Sequence, residues 1–184
     1  MEEQSNDIAQ ELALLHSLYG GDYSRQLESI AKRSEFHSLK GENGIFVCGG
    51  DGDSDYGNLL NAARKAVFHG YNVYILPNPK GIRTPDFIFE HKGIYRAYDL
   101  KTIIGKNSAI NRLRESIGQA NRVLLNMRSD YKAKVLALDI QSFFQTSPDA
   151  LEVLVLKGRK QISIQRNMAM SRQFLATFRK LYER

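Results

Sequence analysis

Apolar residues recur along the chain with two periods, one near 3.6 and one near 2, and these separate helices from strands. Ile8, Leu12, Leu15 and Leu18 fall at helical spacing and predict a helix over residues 5–19, which Gly20-Gly21 stops. Tyr23, Leu27, Ile30 and Ala31 predict a second over residues 22–35, so the chain opens on a helical hairpin. A short strand is expected at residues 44–47. Residues 58–69 then read as a helix, with Leu59, Leu60, Ala63, Ala66 and Val67 close together and Gly70 as its terminator.

Three strands are expected next. Residues 72–76 (NVYIL) are β-branched and aromatic, and residues 86–90 and 94–103 form a hairpin around His91-Lys92-Gly93. Ile110, Leu113, Ile117, Ala120, Leu124 and Met127 make one stripe, which predicts the longest helix over residues 107–127. KVLALDI, residues 134–140, reads as a strand apolar enough to be buried on both faces. Ser147-Pro148-Asp149 marks a turn or helix start. LEVLVL and QISIQ flank KGRK as a closing hairpin, and a basic helix with Phe174, Phe178 and Leu181 inward ends the chain. The expected class is therefore α/β (α+β): a mixed central sheet flanked by helices. An N-terminal helical extension, residues 1–40, precedes a domain over 41–184 whose core spans 58–140.

Bulk composition narrows the function. Of 184 residues, 42% are hydrophobic and 25% charged, which suits a globular domain. No apolar run nears the roughly 18 residues of a membrane span, and the acidic, polar start does not read as a secretion signal. Cys48 is the one cysteine, so neither an intrachain disulfide nor a cysteine zinc site is expected, and a cytoplasmic site of action fits. A net charge of +6 and a pI near 9.4 favour a polyanionic partner such as nucleic acid.

The hairpin carries the candidate chemistry. Counted outward from the turn, Asp99 falls near the level of Asp86, and period two puts Asp99 and Lys101 on one face. Two converging carboxylates repel unless Lys101, a shared proton or a bound Mg²⁺ (or Mn²⁺) intervenes. A hard cation would take oxygens from Asp86, Asp99 and the Leu100 carbonyl, with water completing the shell. It would polarise a phosphoryl oxygen, with Lys101 stabilising developing charge. The plainer alternative is an Asp–Lys pair on an exposed strand face.

PDFIFEHKGIYRAYDLK, residues 85–101, resembles the PD-(D/E)XK nuclease signature, in which Pro-Asp opens one core strand and D/E-x-K lies on the next. The expected helix–strand–strand–strand–helix–strand order over residues 58–140 is similar to that superfamily's core. The resemblance implies a metal-dependent endonuclease fold with Asp86 and Asp99 as metal ligands and Lys101 as the catalytic lysine. Gly70-Tyr71, Thr84-Pro85-Asp86-Phe87 and the small-residue run Gly118 to Asn121 look like the C-terminal tRNase toxin domains of CdiA-type proteins. That likeness implies a tRNA substrate and an immunity-protein partner; DNA, as for restriction and repair enzymes, is the alternative. Many members carry a metal-binding glutamate on the first core helix. Here Asn61 occupies the expected place, with Asp55, or Asp51 and Asp53, as possible substitutes from the preceding loop. A catalytically inactive nucleic-acid- or protein-binding module is thus a second expectation.

Lys80, Arg83, Lys106, Arg112 and Arg114 flank the hairpin in sequence and are candidate phosphate contacts; scattered surface charge is the alternative. Arg172, Arg179, Lys180 and Arg184 read as a solvated helix face. The DGDSD run at residues 51–55 fails as an EF-hand loop, with Tyr56 at the sixth position and Ala62 at the twelfth. His91 reads as a turn residue beside the hairpin.

Overall fold

The computed structural model describes residues 36–47, 56–76, 85–105 and 109–184. The two N-terminal helices expected from the pattern lie outside these residues, as do Cys48, Asp51, Asp53, Asp55, Lys80, Arg83, Thr84 and Lys106. The chain divides into two compact units, Met1–Ala97 and Tyr98–Arg184.

The first unit contains β1 (His37–Ser38), β2 (Ile45–Val47), α1 (Tyr56–Phe68), β3 (Asn72–Ile75), β4 (Phe87–His91) and the start of β5 (Ile94–Ile103). β2 and β3 are parallel, so a crossover must join them, and α1 supplies it. β1 pairs antiparallel with β2, and β4 antiparallel with β3. α1 packs on β2 and β3 through Leu59, Ala62, Ala63 and Ala66. Three alanines with no exposed surface leave nothing between helix and strands except methyl groups. The Phe46 ring of β2 stacks on Tyr74 of β3 with centroids 4.8 Å apart.

The turn into β5 has positive φ at both central residues, 53° at Lys92 and 77° at Gly93. This is the type I′ geometry that matches strand twist. Lysine in the left-handed region costs roughly 1 kcal/mol or more, and buried Glu90 offsets it. Its carboxylate accepts hydrogen bonds from the Gly93 amide (2.7 Å) and the Asn72 side-chain amide (2.7 Å), tying the turn to β3.

The second unit continues β5 and adds α2 (Ala109–Glu115), β6 (Arg122–Met127), α3 (Ala133–Thr146), β7 (Glu152–Lys157), β8 (Lys160–Gln165), α4 (Arg166–Ala169) and α5 (Phe174–Glu183). β5, β6 and β7 are parallel and joined by crossover helices; β8 returns antiparallel to β7. Ile103, Val123, Leu125, Val153, Val155 and Ile164 form one apolar cluster with Leu136, Ile140, Phe144 and Phe178 of the helices. Leu124, Leu154 and Leu156, which alternate with them, are also fully buried, as parallel strands covered on both faces require.

Two sequence expectations are overturned here. Residues 107–127 do not form one long helix. α2 stops at Glu115, the Ser116 hydroxyl donates to the Leu113 carbonyl (2.6 Å), and Gly118 turns the chain at φ 82°. RVLLNM then becomes β6, because five consecutive buried residues fit a doubly covered strand and not one helix face. Residues 134–140 are not a strand but part of α3. Ala133, Leu136, Ala137, Ile140, Phe143 and Phe144 repeat at helical spacing over two further turns. The helix–strand–strand–strand–helix–strand order survives, but it runs from Tyr56 to Met127 and ends on β6. The closing hairpin forms as β7 and β8, and the terminal helix as α5, but its buried line is Phe174, Phe178 and Tyr182: Leu181, expected inward, is exposed, because the every-fourth-residue row from Phe174 ends on Tyr182. Among the described residues no helix is long and apolar enough to cross a membrane.

Candidate active site

Asp99 lies in β5 level with Val123 of β6, and Lys101 lies level with Leu125. Period two therefore aims both side chains to the face that Ile103 shares with the apolar cluster. The Asp99 side chain is 1% exposed and that of Lys101 13%, with Lys101 Nζ 2.8 Å from Asp99 Oδ2. Leu100 between them points the other way and is buried.

Such a pair is not explained by stability. Each buried ion forfeits several kcal/mol of hydration, and apolar residues of similar volume commonly serve as well or better. Neighbouring positions in the same rows are Val123, Leu125, Val153 and Val155, all apolar. A carboxylate held against an ammonium among such residues marks a candidate site on physical grounds. The plainer expectation, a pair on an exposed strand face, does not describe it.

Asp86 immediately precedes β4, is half-buried, and its main-chain carbonyl accepts the Leu76 amide at 2.9 Å. Asn61 is half-buried on α1. Among the described residues, no three His, Cys, Asp or Glu side chains gather as a metal cage. A metal here would thus depend on one or two carboxylates, carbonyl oxygen and water. That donor set suits Mg²⁺, which takes oxygen ligands and keeps much of its hydration.

Arg112 and Arg114 are exposed on α2, and Arg112 pairs with Glu115 at 3.0 Å. His91 Nδ1 lies 3.0 Å from the Gly70 carbonyl, a contact that makes it the donor and ties the turn to the end of α1. Arg172, Arg179, Lys180 and Arg184 are exposed, with Arg179 near Glu183 at 3.5 Å.

A second polar group in this unit belongs to no sequence motif. Buried Glu152 of β7 accepts hydrogen bonds from the Tyr98 hydroxyl (2.8 Å) and the Ser163 hydroxyl (2.5 Å), and Arg122 Nε lies 3.5 Å away. One carboxylate thereby joins β5, β6, β7 and β8 at the level next to Asp99. The signal was present in LEVLVL: Glu152 is in phase with Leu154 and Leu156, so a strand there had to bury a carboxylate or expose two leucines.

No family model matches the chain, and no curated protein does. Among solved structures it is similar to a CdiA-CT/CdiI toxin and immunity complex from Burkholderia pseudomallei. The identity is 16%, the match covers 65% of this chain and 98% of that chain, and the TM-score is 0.39. At that score the two backbones share only part of their course, and the site is read from this chain's own residues.

Proposed function

We propose that the chain is a divalent-metal-dependent endonuclease that hydrolyses phosphodiester bonds in nucleic acid. The observation that carries the reading is the buried Asp99–Lys101 pair, 2.8 Å apart on one strand face. The element order from Tyr56 to Met127 and the resemblance of residues 85–101 to the PD-(D/E)XK signature support it. Asp99 and the Leu100 carbonyl would hold Mg²⁺ together with water, Asp86 being the further ligand that the motif resemblance implies, and the bound ion would supply Lewis acidity toward a phosphoryl oxygen and an acidified water. Asp99 contributes a carboxylate already stripped of water, which strengthens its interaction with any cation. Lys101 balances that carboxylate in the resting protein. With a cation bound, its ammonium would be available to stabilise charge on the phosphate or to orient the attacking water. The basic surface, net +6 overall, raises the local concentration of polyanion.

The sequence likeness to CdiA-type tRNase toxin domains makes tRNA the first substrate to try and an immunity protein the corresponding partner; duplex DNA is the second substrate. A specific residue favours another reading: Asn61 offers a neutral amide where the superfamily often has a glutamate, as expected of a nucleic-acid-binding module without turnover.

One experiment separates them. Purified protein is incubated with tRNA, single-stranded DNA and duplex DNA, with Mg²⁺, Mn²⁺ or EDTA. The enzyme reading expects metal-dependent cleavage, abolished in folded Asp99→Ala and Lys101→Ala proteins. Nucleic-acid binding without cleavage of any substrate would establish the module instead.

A further inference from the structure

A cavity of about 540 Å³ opens in the second unit beside the carboxyl ends of β6 and β7. Ligands of open α/β sheets bind outside the carboxyl ends of parallel strands. Its walls are Tyr131, Ala133, Val135 and Tyr182; Asp130, Lys132, Lys157 and Glu183 supply its charge. The register aligns Met127, Lys157 and Lys160 in one row, so the loop after β6 and the β7–β8 turn share this end. Arg128, Lys132, Lys157, Arg159 and Lys160 there outnumber the two rim acids. Asp130, 99% exposed, pairs with Lys157 Nζ at 3.7 Å, that ammonium also lies over the Tyr182 ring, 3.9 Å from its centroid, and Glu183 is drawn toward Arg179 at 3.5 Å.

Three observations describe what would fill this space. First, α3 begins at its lip. The helix has no acidic residue in its first turn, and Lys132 at the cap position makes no side-chain capping bond. Ala133 and Val135 of that turn line the cavity. Unfilled first-turn amides and the positive end of the helix dipole attract an anion. Second, Tyr182, 1% exposed, lines the cavity beside Tyr131 and fixes its inner apolar wall. Third, the Tyr131 ring is held in place. Its hydroxyl accepts from the Ala109 amide (3.1 Å) and donates to Asp139 (3.0 Å), so the aromatic wall is formed before anything binds.

We propose that this cavity takes one nucleotide unit of a nucleic-acid strand, its base against Tyr131 and Val135 and its phosphate at the start of α3 between Lys132 and Lys157. Inorganic phosphate would leave the apolar walls bare, and an uncharged aromatic would leave the helix start unpaired. A base on a tyrosine with its phosphate on a helix start satisfies both. The site shares no residue with the Asp99–Lys101 pair and stands whether or not the chain cleaves its substrate.

The test is an amide-shift titration by NMR of the full chain with AMP, adenosine and inorganic phosphate at low salt. AMP is expected to shift resonances of residues 130–135 and to bind roughly tenfold or more tightly than either fragment. Lys132→Glu, at an exposed position where folding is not at stake, should weaken AMP by roughly tenfold. Lys157→Gln should weaken it similarly. Asp99→Asn should leave AMP binding unchanged while removing any cleavage, which separates this site from the catalytic reading. No AMP binding, shifts elsewhere, AMP no tighter than adenosine or phosphate alone, or indifference to Lys132→Glu would each overturn the proposal.

Discussion

Removing the ammonium from the Asp99–Lys101 pair strands a carboxylate among valines and leucines. At 2.8 Å and an effective dielectric near 20, the gross attraction is about 6 kcal/mol. Desolvation of both ions cancels much of it, so the net worth of the intact pair is small. Lys101→Met does not restore the hydration of Asp99, and the expected loss is roughly 3–5 kcal/mol. Asp99→Leu removes the more deeply buried ion; the Lys101 side chain, 13% exposed, can extend toward water on its flexible stem. Its expected cost is lower, roughly 1–3 kcal/mol. The double variant Asp99→Leu/Lys101→Met leaves no buried charge and should recover most of the loss, falling within roughly 1–2 kcal/mol of the wild type. Urea denaturation followed by circular dichroism measures all four proteins. With a slope of about 2 kcal/mol per molar, Lys101→Met should lower the midpoint by roughly 1.5–2.5 M. Refutation would be strict additivity, with Lys101→Met under about 1 kcal/mol, as for a surface ion pair. Stability restored in the double variant with cleavage still absent would show that the pair is retained for chemistry rather than for folding.

Three further outcomes follow from the second unit. Burial, aided by the charge of Asp130, pushes the Tyr182 hydroxyl up to about 12. In the unfolded chain it ionises near 10, so the unfolded state sheds its proton first and stability should fall as pH rises above about 10. Ultraviolet titration should show a tyrosine absent from the pH 10–11 wave, and Tyr182→Phe should lack that share of the alkaline loss; ionisation of all nine tyrosines together near pH 10 would contradict this. The Arg166 guanidinium donates to the carbonyls of Phe144 (2.6 Å), Ser147, Pro148 (2.9 Å) and Ala150 (3.1 Å), closing the end of α3 in place of a glycine cap. Arg166→Met should cost about 2–4 kcal/mol by urea denaturation, and a loss below about 1 kcal/mol would mean that water replaces it. Tyr98→Phe removes one hydrogen bond to buried Glu152 and should cost about 1–2 kcal/mol by the same assay, with no loss expected if Arg122 and Ser163 suffice alone.

Legibility in the sequence followed the length of each pattern. The hairpin around Lys92-Gly93 was readable because glycine beside strand-forming runs permits few alternatives, and α1 because its apolar face ends at Gly70. Residues 107–127 misled because Leu124 and Met127 happen to continue the helical stripe of Ile110 and Leu113. The deciding signal was the unbroken burial of Val123 to Met127, together with Gly118, and a helical count ignores both. Residues 134–140 misled because a seven-residue window cut a fourteen-residue helix in half, and a short apolar run has no period of its own. The Glu152 network was invisible to motif search because its members come from four strands far apart in sequence.

By itself the sequence determined which residues alternate, where the chain must turn, and that Asp99 and Lys101 share a strand face, since these depend only on local backbone geometry. It could not determine whether that face is wet or dry. Burial depends on which distant segments cover a strand, and only the pairing of β5 with β6 and the apolar cluster gathered on that face made an ordinary-looking aspartate and lysine a buried charge pair.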